Sequence, residues 1–193
     1  MQSAARMTIV EAEPNDSWLT DSQLAAACAR GETSAFETLY RTHGGRMKSI
    51  AYNHLGNRAE AEEAVQEVFL KVHRTASTFT GEASFSTWLY RILVNTCLDI
   101  LRKRVRRPRE TALEEIVGAG PEHRAGDDVA LKMTLRKLID DLPPQKRTVF
   151  LLFEVEGLSH AEIAEILGTT AGSSKWLLFE AKKQIRSQWK TRS

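Results

Sequence analysis

Apolar residues recur at helical spacing over almost the whole chain, and the recurrence lapses once, between Pro108 and Asp128. Pro108, Gly118, Gly120, Pro121 and Gly126 are interspersed there with charges, a composition that suits a linker carrying at most a short helical turn over 113–117. No segment alternates apolar and polar residues as a strand requires. The expected fold is therefore all-α. Two small helical domains, over about 19–107 and 129–190, are joined by a flexible linker over 108–128 and preceded by a tail over 1–18. A chain of 193 residues suits one domain or two small ones.

Local signals divide the first block into four helices. The first covers about 21–30 and stops at Gly31. Ser34 followed by Glu37 reads as a capping box. It opens a helix whose apolar stripe is Phe36, Leu39, Tyr40, Met47, Ile50 and Ala51, broken at Gly56 and Asn57. A third helix over 58–74 turns Ala61, Val65, Val68, Phe69 and Val72 inward. After a loop, a fourth runs over 85–107, with Leu89, Ile92, Leu93, Thr96 and Ile100 as its core-facing stripe.

In the second block Leu131, Leu135, Leu138, Ile139 and Leu142 make one stripe. Pro143 and Pro144 end that helix and start the next, since proline suits a first helical turn. Ser159 and Glu162 form a second capping box, and Gly168 permits the left-handed turn that closes the short helix they open. A last helix starts near 170–172 and runs to about Trp189. A short helix, a glycine turn and a longer helix make a helix-turn-helix, whose second helix normally enters the DNA major groove.

The fourth helix carries the strongest functional signal. Trp88, Arg91, Asn95, Arg102 and Arg106 fall on one side of it, opposite the core stripe. Aromatic faces stack on unpaired bases and guanidinium groups hold phosphates. The helix ends in Arg102, Lys103, Arg104, Arg106, Arg107 and Arg109. Cations do favour a helix C-terminus, yet six in eight positions exceed what capping needs, and phosphate binding is the better reading. On the third helix, Glu60, Glu63, Gln66 and Glu67 lie away from the apolar stripe. They read either as a solvated face or as a docking surface for a basic helix, with Phe69 and Leu70 as an apolar anchor.

Several classes are excluded or unsupported. The five histidines show no metal-ligand spacing, and there is no phosphate-cradling glycine loop or nucleophile elbow. No cofactor, metal or catalytic role is expected, and the chain reads as a non-enzyme. Cys28 and Cys97 belong to no paired motif, which suits a reduced cytoplasmic setting. No apolar run reaches the roughly 18 residues that span a bilayer, so membrane insertion is not expected. Formal net charge is only +2, but cations gather at 102–109 and 175–192 while acids dominate 60–67 and 110–128. Such asymmetry fits one basic and one acidic partner.

Four segments in this order resemble the small extracytoplasmic-function (ECF) sigma factors of bacterial RNA polymerase, within the sigma-70 family. They are Ala61-Glu-Glu-Ala-Val-Gln-Glu-Val-Phe-Leu70; Phe85-Ser-Thr-Trp-Leu-Tyr-Arg-Ile92 with Asn95 and Asp99; Leu142-Pro-Pro-Gln-Lys-Arg147; and Gly157-Leu-Ser-His-Ala-Glu-Ile-Ala164. The resemblance implies that Glu63, Gln66, Glu67 and Phe69 bind the β′ clamp of core RNA polymerase. It implies that Trp88, Arg91 and Asn95, with the loop before them, engage the melted minus-ten strand of promoter DNA, and that Arg102, Lys103 and Arg106 grip the DNA upstream. It implies that the C-terminal domain meets the polymerase β flap and directs Thr170, Ser173, Ser174, Lys175 and Lys182 to the minus-thirty-five element. An anti-sigma factor is a further candidate partner.

One segment departs from the family. Its last helix usually reads Gly-Thr-Val-Lys-Ser-Arg-Leu-x-Arg-Ala-Arg, where this chain has Gly172-Ser-Ser-Lys-Trp-Leu-Leu-Phe-Glu-Ala-Lys182. Two arginines become Leu177 and Glu180, which weakens the expected phosphate contacts. Trp176 and Phe179 either touch thymine methyls or form an apolar patch for a protein partner. Two other readings stand beside the sigma factor: a stand-alone helix-turn-helix regulator, and a degenerate sigma-like chain that titrates a partner.

Overall fold

The computed structural model describes residues 20–106 and 127–192, and among them there are helices and no strands. The expected tail, the turn over 113–117, Arg107 and Arg109 lie outside the described residues. Helix α1 spans Asp21–Ala29, α2 Thr33–Leu55, α3 Arg58–Thr75 and α4 Phe85–Arg106; α5 spans Asp127–Asp140, α6 Pro144–Phe150, α7 His160–Leu167 and α8 Ala171–Arg192.

The helix boundaries follow local chemistry. The Thr20 hydroxyl accepts the Gln23 N–H at the start of α1, and Asn57 does the same for Glu60 in α3. Gly56 closes α2 in the left-handed conformation, φ 73°. The capping box expected at Ser34 does not form. Helix α2 begins two residues earlier, with Glu32 as the cap position and its carboxylate held by Arg30 at 2.6 Å, so Ser34 falls inside the first turn. The box at Ser159 and Glu162 forms in full.

Helices α2, α3 and α4 pack on one another around Leu39, Met47, Ile50, Val65, Val68, Val72, Leu89 and Leu93. Two stripes differ from expectation. Tyr40 is half exposed, and the buried arc of α4 runs through Phe85, Tyr90, Val94 and Cys97 while Ile92 and Ile100 are only half-buried. The reason is that α4 packs on three sides, against α2, α3 and also α7.

In the C-terminal half α6, α7 and α8 form the bundle, and α5 joins it only by its last turns. Leu138, Ile139 and Leu142 are buried, whereas Leu131 and Leu135 are exposed, against expectation. After α6 the chain does not continue as regular α-helix. It widens into a π-helical turn over Leu151–Val155, closed by the Glu156 N–H on the Leu151 carbonyl. The two halves touch through α4 with α7 and through α2 with the π turn.

Candidate polymerase and nucleic-acid interfaces

A groove of about 590 Å³ runs between α3 and α4. Its α3 wall carries Glu60, Glu63, Gln66, Glu67 and Leu70, and its α4 wall Thr96, Asp99 and Lys103. Glu63 and Gln66 are exposed. Glu67 faces Lys71 at 3.9 Å, and Lys71 in turn donates to the Thr96 hydroxyl at 2.9 Å. The groove therefore presents carboxylates and an amide at its mouth, with a Leu70 side chain 54% exposed among them.

Phe69 is not in this groove. It is half-buried on the other side of α3, against Phe36 (ring centroids 6.5 Å apart) and Tyr40 (5.9 Å). Leu70 is the apolar group that the sequence reading coupled to Phe69, and it alone stands at the surface beside the acids. Arg104 is another difference. It is paired with Glu60 and donates to the Leu55 carbonyl at 3.1 Å, so this cation of the basic run ties α4 to the α2–α3 corner.

On the opposite side of α4, Arg91, Asn95 and Arg102 are exposed, Arg102 with Asp99 at 2.8 Å, whereas the exposed Lys103 borders the α3–α4 groove. Arg106 ends the described part of the helix. Trp88 is less open than the sequence suggested. It is half-buried, stacked on Phe85 at 5.3 Å and met edge-on by Phe79 at 5.8 Å. The aromatic trio braces the loop that precedes α4. That loop enters the helix at Ser84, whose hydroxyl accepts the Thr87 N–H at 3.1 Å.

In the helix-turn-helix, Gly168 takes the left-handed conformation (φ 63°) and Thr170 caps α8, its hydroxyl accepting the Ser173 N–H at 3.1 Å. Thr170 and Lys175 are exposed and Ser173 is half-buried. Ser174 is fully buried and bonded to His160 at 2.9 Å, so it faces the domain interior and not a DNA groove. Burial, with the charges of Lys175 and Lys182 nearby, lowers the His160 pKa, which favours a neutral ring at this contact. Lys182 is paired with Glu154 at 2.6 Å. Of the apolar quartet on α8, Leu178 is buried, Leu177 is half-buried, and Trp176 and Phe179 are 60% and 61% exposed.

Among the described residues no His/Cys/Asp/Glu cluster could hold a metal, and no helix is long and apolar enough to cross a membrane. The Sigma-70 region 2 family model matches residues 39–107 and the Sigma-70 region 4 model residues 132–185. The first span holds the α3–α4 groove and the α4 stripe, and the second holds the helix-turn-helix. The ECF RNA polymerase sigma-E factor of Escherichia coli is 31% identical over 178 residues, 86% of this chain and 93% of that protein. The corresponding factor of Haemophilus influenzae is 30% identical over 184 residues, 88% and 95% of the two chains. Among solved structures, the sigma factor RpoE of Bartonella quintana, in complex with the anti-sigma factor NepR, shares the fold with a TM-score of 0.64 at 22% identity, over 80% of this chain and 96% of that one. These relatives lend no support to a stand-alone regulator or a titrating decoy. The chain belongs to the ECF sigma factors of the sigma-70 family and acts in promoter-specific initiation of transcription by RNA polymerase.

Proposed function

We propose that α4 divides two binding tasks between its faces. The groove it forms with α3 docks the basic β′ clamp of core polymerase through Glu63, Gln66 and Glu67, with Leu70 as the apolar contact and Phe69 fixing the helix from behind. Its opposite stripe, Arg91, Asn95 and Arg102, holds the minus-ten strand once the promoter melts, with Lys103 reaching the DNA from the groove edge, and Trp88 supports the loop that meets the bases. Lys175, Thr170 and Ser173 at the start of α8 approach the minus-thirty-five element, and the domain around them meets the β flap. The protein performs no bond chemistry of its own and works in the cytoplasm. Domains over 19–107 and 129–190, with a tether over 108–128, would let it span both promoter elements. An anti-sigma factor is proposed as a regulatory partner, because the structural neighbour RpoE is seen bound to NepR.

The observation that carries this reading is the separation of charge across the α3–α4 pair: acids and an exposed leucine of α3 line the groove, while Arg91, Asn95 and Arg102 line the far side of α4. Run-off transcription with purified core polymerase, coupled to a core-binding titration, tests it. Glu63→Arg with Glu67→Arg is expected to weaken core binding at least tenfold. Arg91→Ala with Asn95→Ala is expected to keep core binding and lose run-off product. Full core binding by the first variant overturns the docking assignment, and full transcription by the second overturns the DNA assignment.

A further inference from the structure

A cleft of about 520 Å³ lies between α4 and the C-terminal helices. Leu98 and Leu101 of α4 form one wall, and Leu167 of α7 and Leu177 of α8 form the other. All four leucines are half-buried, so each keeps apolar surface turned to open space. Thr148 of α6, 1% exposed, is the most buried residue of the lining. Asn95, Arg102 and Gln145 are exposed and bring polar groups to the mouth. The walls are fixed at a distance. On the α2 edge, the Glu156 carboxylate accepts from the Ser49 hydroxyl at 2.8 Å and the Asn53 amide at 2.9 Å, and Arg147 donates to the His54 carbonyl at 2.8 Å.

The lining is one-sided in charge. Arg102 is the only ionisable side chain among the described residues that border the cleft. Asp99, which takes one Nη of Arg102 at 2.8 Å, borders the α3–α4 groove instead. A guanidinium has further donors in its fork, and a carboxylate accepts them as a parallel pair. One guanidinium balances one negative charge, which suits a carboxylate better than a phosphate monoester carrying about −1.5 to −2. The apolar wall depends on Leu177, which stands where the family pattern has arginine. Small-molecule sites are concave, mostly apolar spaces of about 300–1,000 Å³ with a few placed polar groups, and they favour domain boundaries and spaces between helices. Apolar walls offer water few hydrogen bonds, and such spaces take up apolar molecules.

We infer that this cleft binds a small amphipathic carboxylate of the medium-chain fatty acid class, its apolar chain among Leu98, Leu101, Leu167 and Leu177 and its carboxylate on Arg102. A ligand that touches both walls stabilises the arrangement that forms them, by mass action. Asn95 and Arg102 also belong to the stripe assigned above to minus-ten DNA, so a bound acid and a melted strand compete for them. That competition rests on the DNA assignment, and the binding site does not.

The test titrates decanoate, octanoate and decanol into the full chain by calorimetry. Decanoate is expected to saturate one site per chain. Octanoate, two methylenes shorter, should bind about tenfold more weakly, and decanol, which has no charge for Arg102, about tenfold more weakly as well. Leu98→Trp fills the space, and Leu177→Glu sets a carboxylate in the apolar wall at a position where the family pattern has a long charged side chain. Far-UV circular dichroism checks that both retain helix, and both are expected to weaken decanoate by about tenfold or more. Arg102→Met should weaken decanoate by a similar factor and leave decanol unchanged. Binding with no single saturable site, or a site that both wall variants leave intact, overturns the cleft. Decanoate held as tightly by Arg102→Met as by the parent overturns the carboxylate class. Anisotropy of a fluorescein-labelled oligothymidylate at low salt reads the competition: decanoate is expected to release it from the parent and not from Leu98→Trp, and release from neither overturns the competition. Failure of the DNA assignment itself is read separately, as full run-off transcription by Arg91→Ala with Asn95→Ala in the parent.

Discussion

The Asp21 carboxylate accepts the Phe85 backbone N–H at 2.7 Å, a contact between residues 64 apart in the chain. Asp21 opens α1 and Phe85 opens α4, so one anion serves the N-terminal ends of two helices, where free N–H groups and the helix dipole favour it. Helix α1 also packs on the turn over Ala76–Thr78, and Ser22 approaches Gly81 of the loop. The loop before α4 is therefore anchored at its exit by a residue far away in sequence. Asp21→Ala is expected to cost about 1–2 kcal/mol of stability, the loss of a charged cap. It should reduce run-off transcription while core binding stays constant, and Asp21→Asn, which keeps an acceptor oxygen, should recover most of both. An unchanged melting temperature and full run-off for the alanine variant would show that the contact does not hold the loop.

Trp88 divides its ring between packing and solvent. Stacking on Phe85 and the edge contact with Phe79 are worth about 0.5–1.5 kcal/mol each beyond buried area. Trp88→Ala is expected to lower the melting temperature through these losses, and Trp88→Phe should restore much of it. At a promoter, the alanine variant should impair opening, read by permanganate reactivity of melted thymines, more than closed-complex formation, read by footprinting in the cold. Equal loss of both would make Trp88 a packing residue alone.

Much of this architecture is legible in the sequence because it is local. The Ser159–Glu162 box, the glycine stops at Gly56 and Gly168 and the proline start of α6 each depend on a few neighbouring residues, and each forms. What escapes is set by packing across the chain. Periodicity gave Tyr40, Leu131 and Leu135 to the core because it counts spacing and cannot see that no neighbouring helix covers them. Ser174 looked like a surface serine at the start of a reading helix, but His160 draws it inward. Arg104 looked like one cation among six until Glu60 and the Leu55 carbonyl claimed it. The π turn has no sequence signal of its own, and Glu156 at its end became visible only through its partners on α2. The acidic groove was legible as a face, and the exchange of Phe69 for Leu70 at its mouth was not, because adjacent helical residues differ by 100° in direction and only the packing of Phe36 decides between them.

The two cysteines are predicted to be unreactive in the folded protein. Burial raises the Cys97 thiol to about 12 and the Cys28 thiol to about 11, with Glu32 adding to the shift at Cys28. Both side chains are fully buried, so thiolate and access are lacking together. Titration with Ellman's reagent at pH 8 should release no thiol within minutes from the native protein and two per chain in denaturant. Rapid native release would mean that the α1 or α4 packing opens readily, and would reopen a redox role.

His54 supplies a stability test whose sign is fixed by burial. The ring is 1% exposed, its Nδ1 pairs with the Ile50 carbonyl at 2.8 Å and its Nε2 has no partner. Burial pushes its pKa down to about 4, and the charges of Arg147 and Arg136 act in the same direction against the favourable carbonyl contact. An unfolded imidazole titrates near 6.5, so below that value the unfolded chain binds a proton that the folded chain refuses. The folded state is thus fully favoured above about pH 6.5 and loses stability as pH falls toward 4, by about 1.4 kcal/mol per pH unit. Between pH 7 and pH 5 the loss from this one residue is expected to be roughly 2 kcal/mol, read as a lower urea midpoint at constant slope. His54→Gln should be less stable at pH 7, because it buries an amide in a site shaped for a ring, yet its midpoint should fall less between pH 7 and pH 5. A glutamine variant with the parent's full pH dependence would move the acid sensitivity elsewhere in the chain and leave His54 as a packing residue at the end of α2.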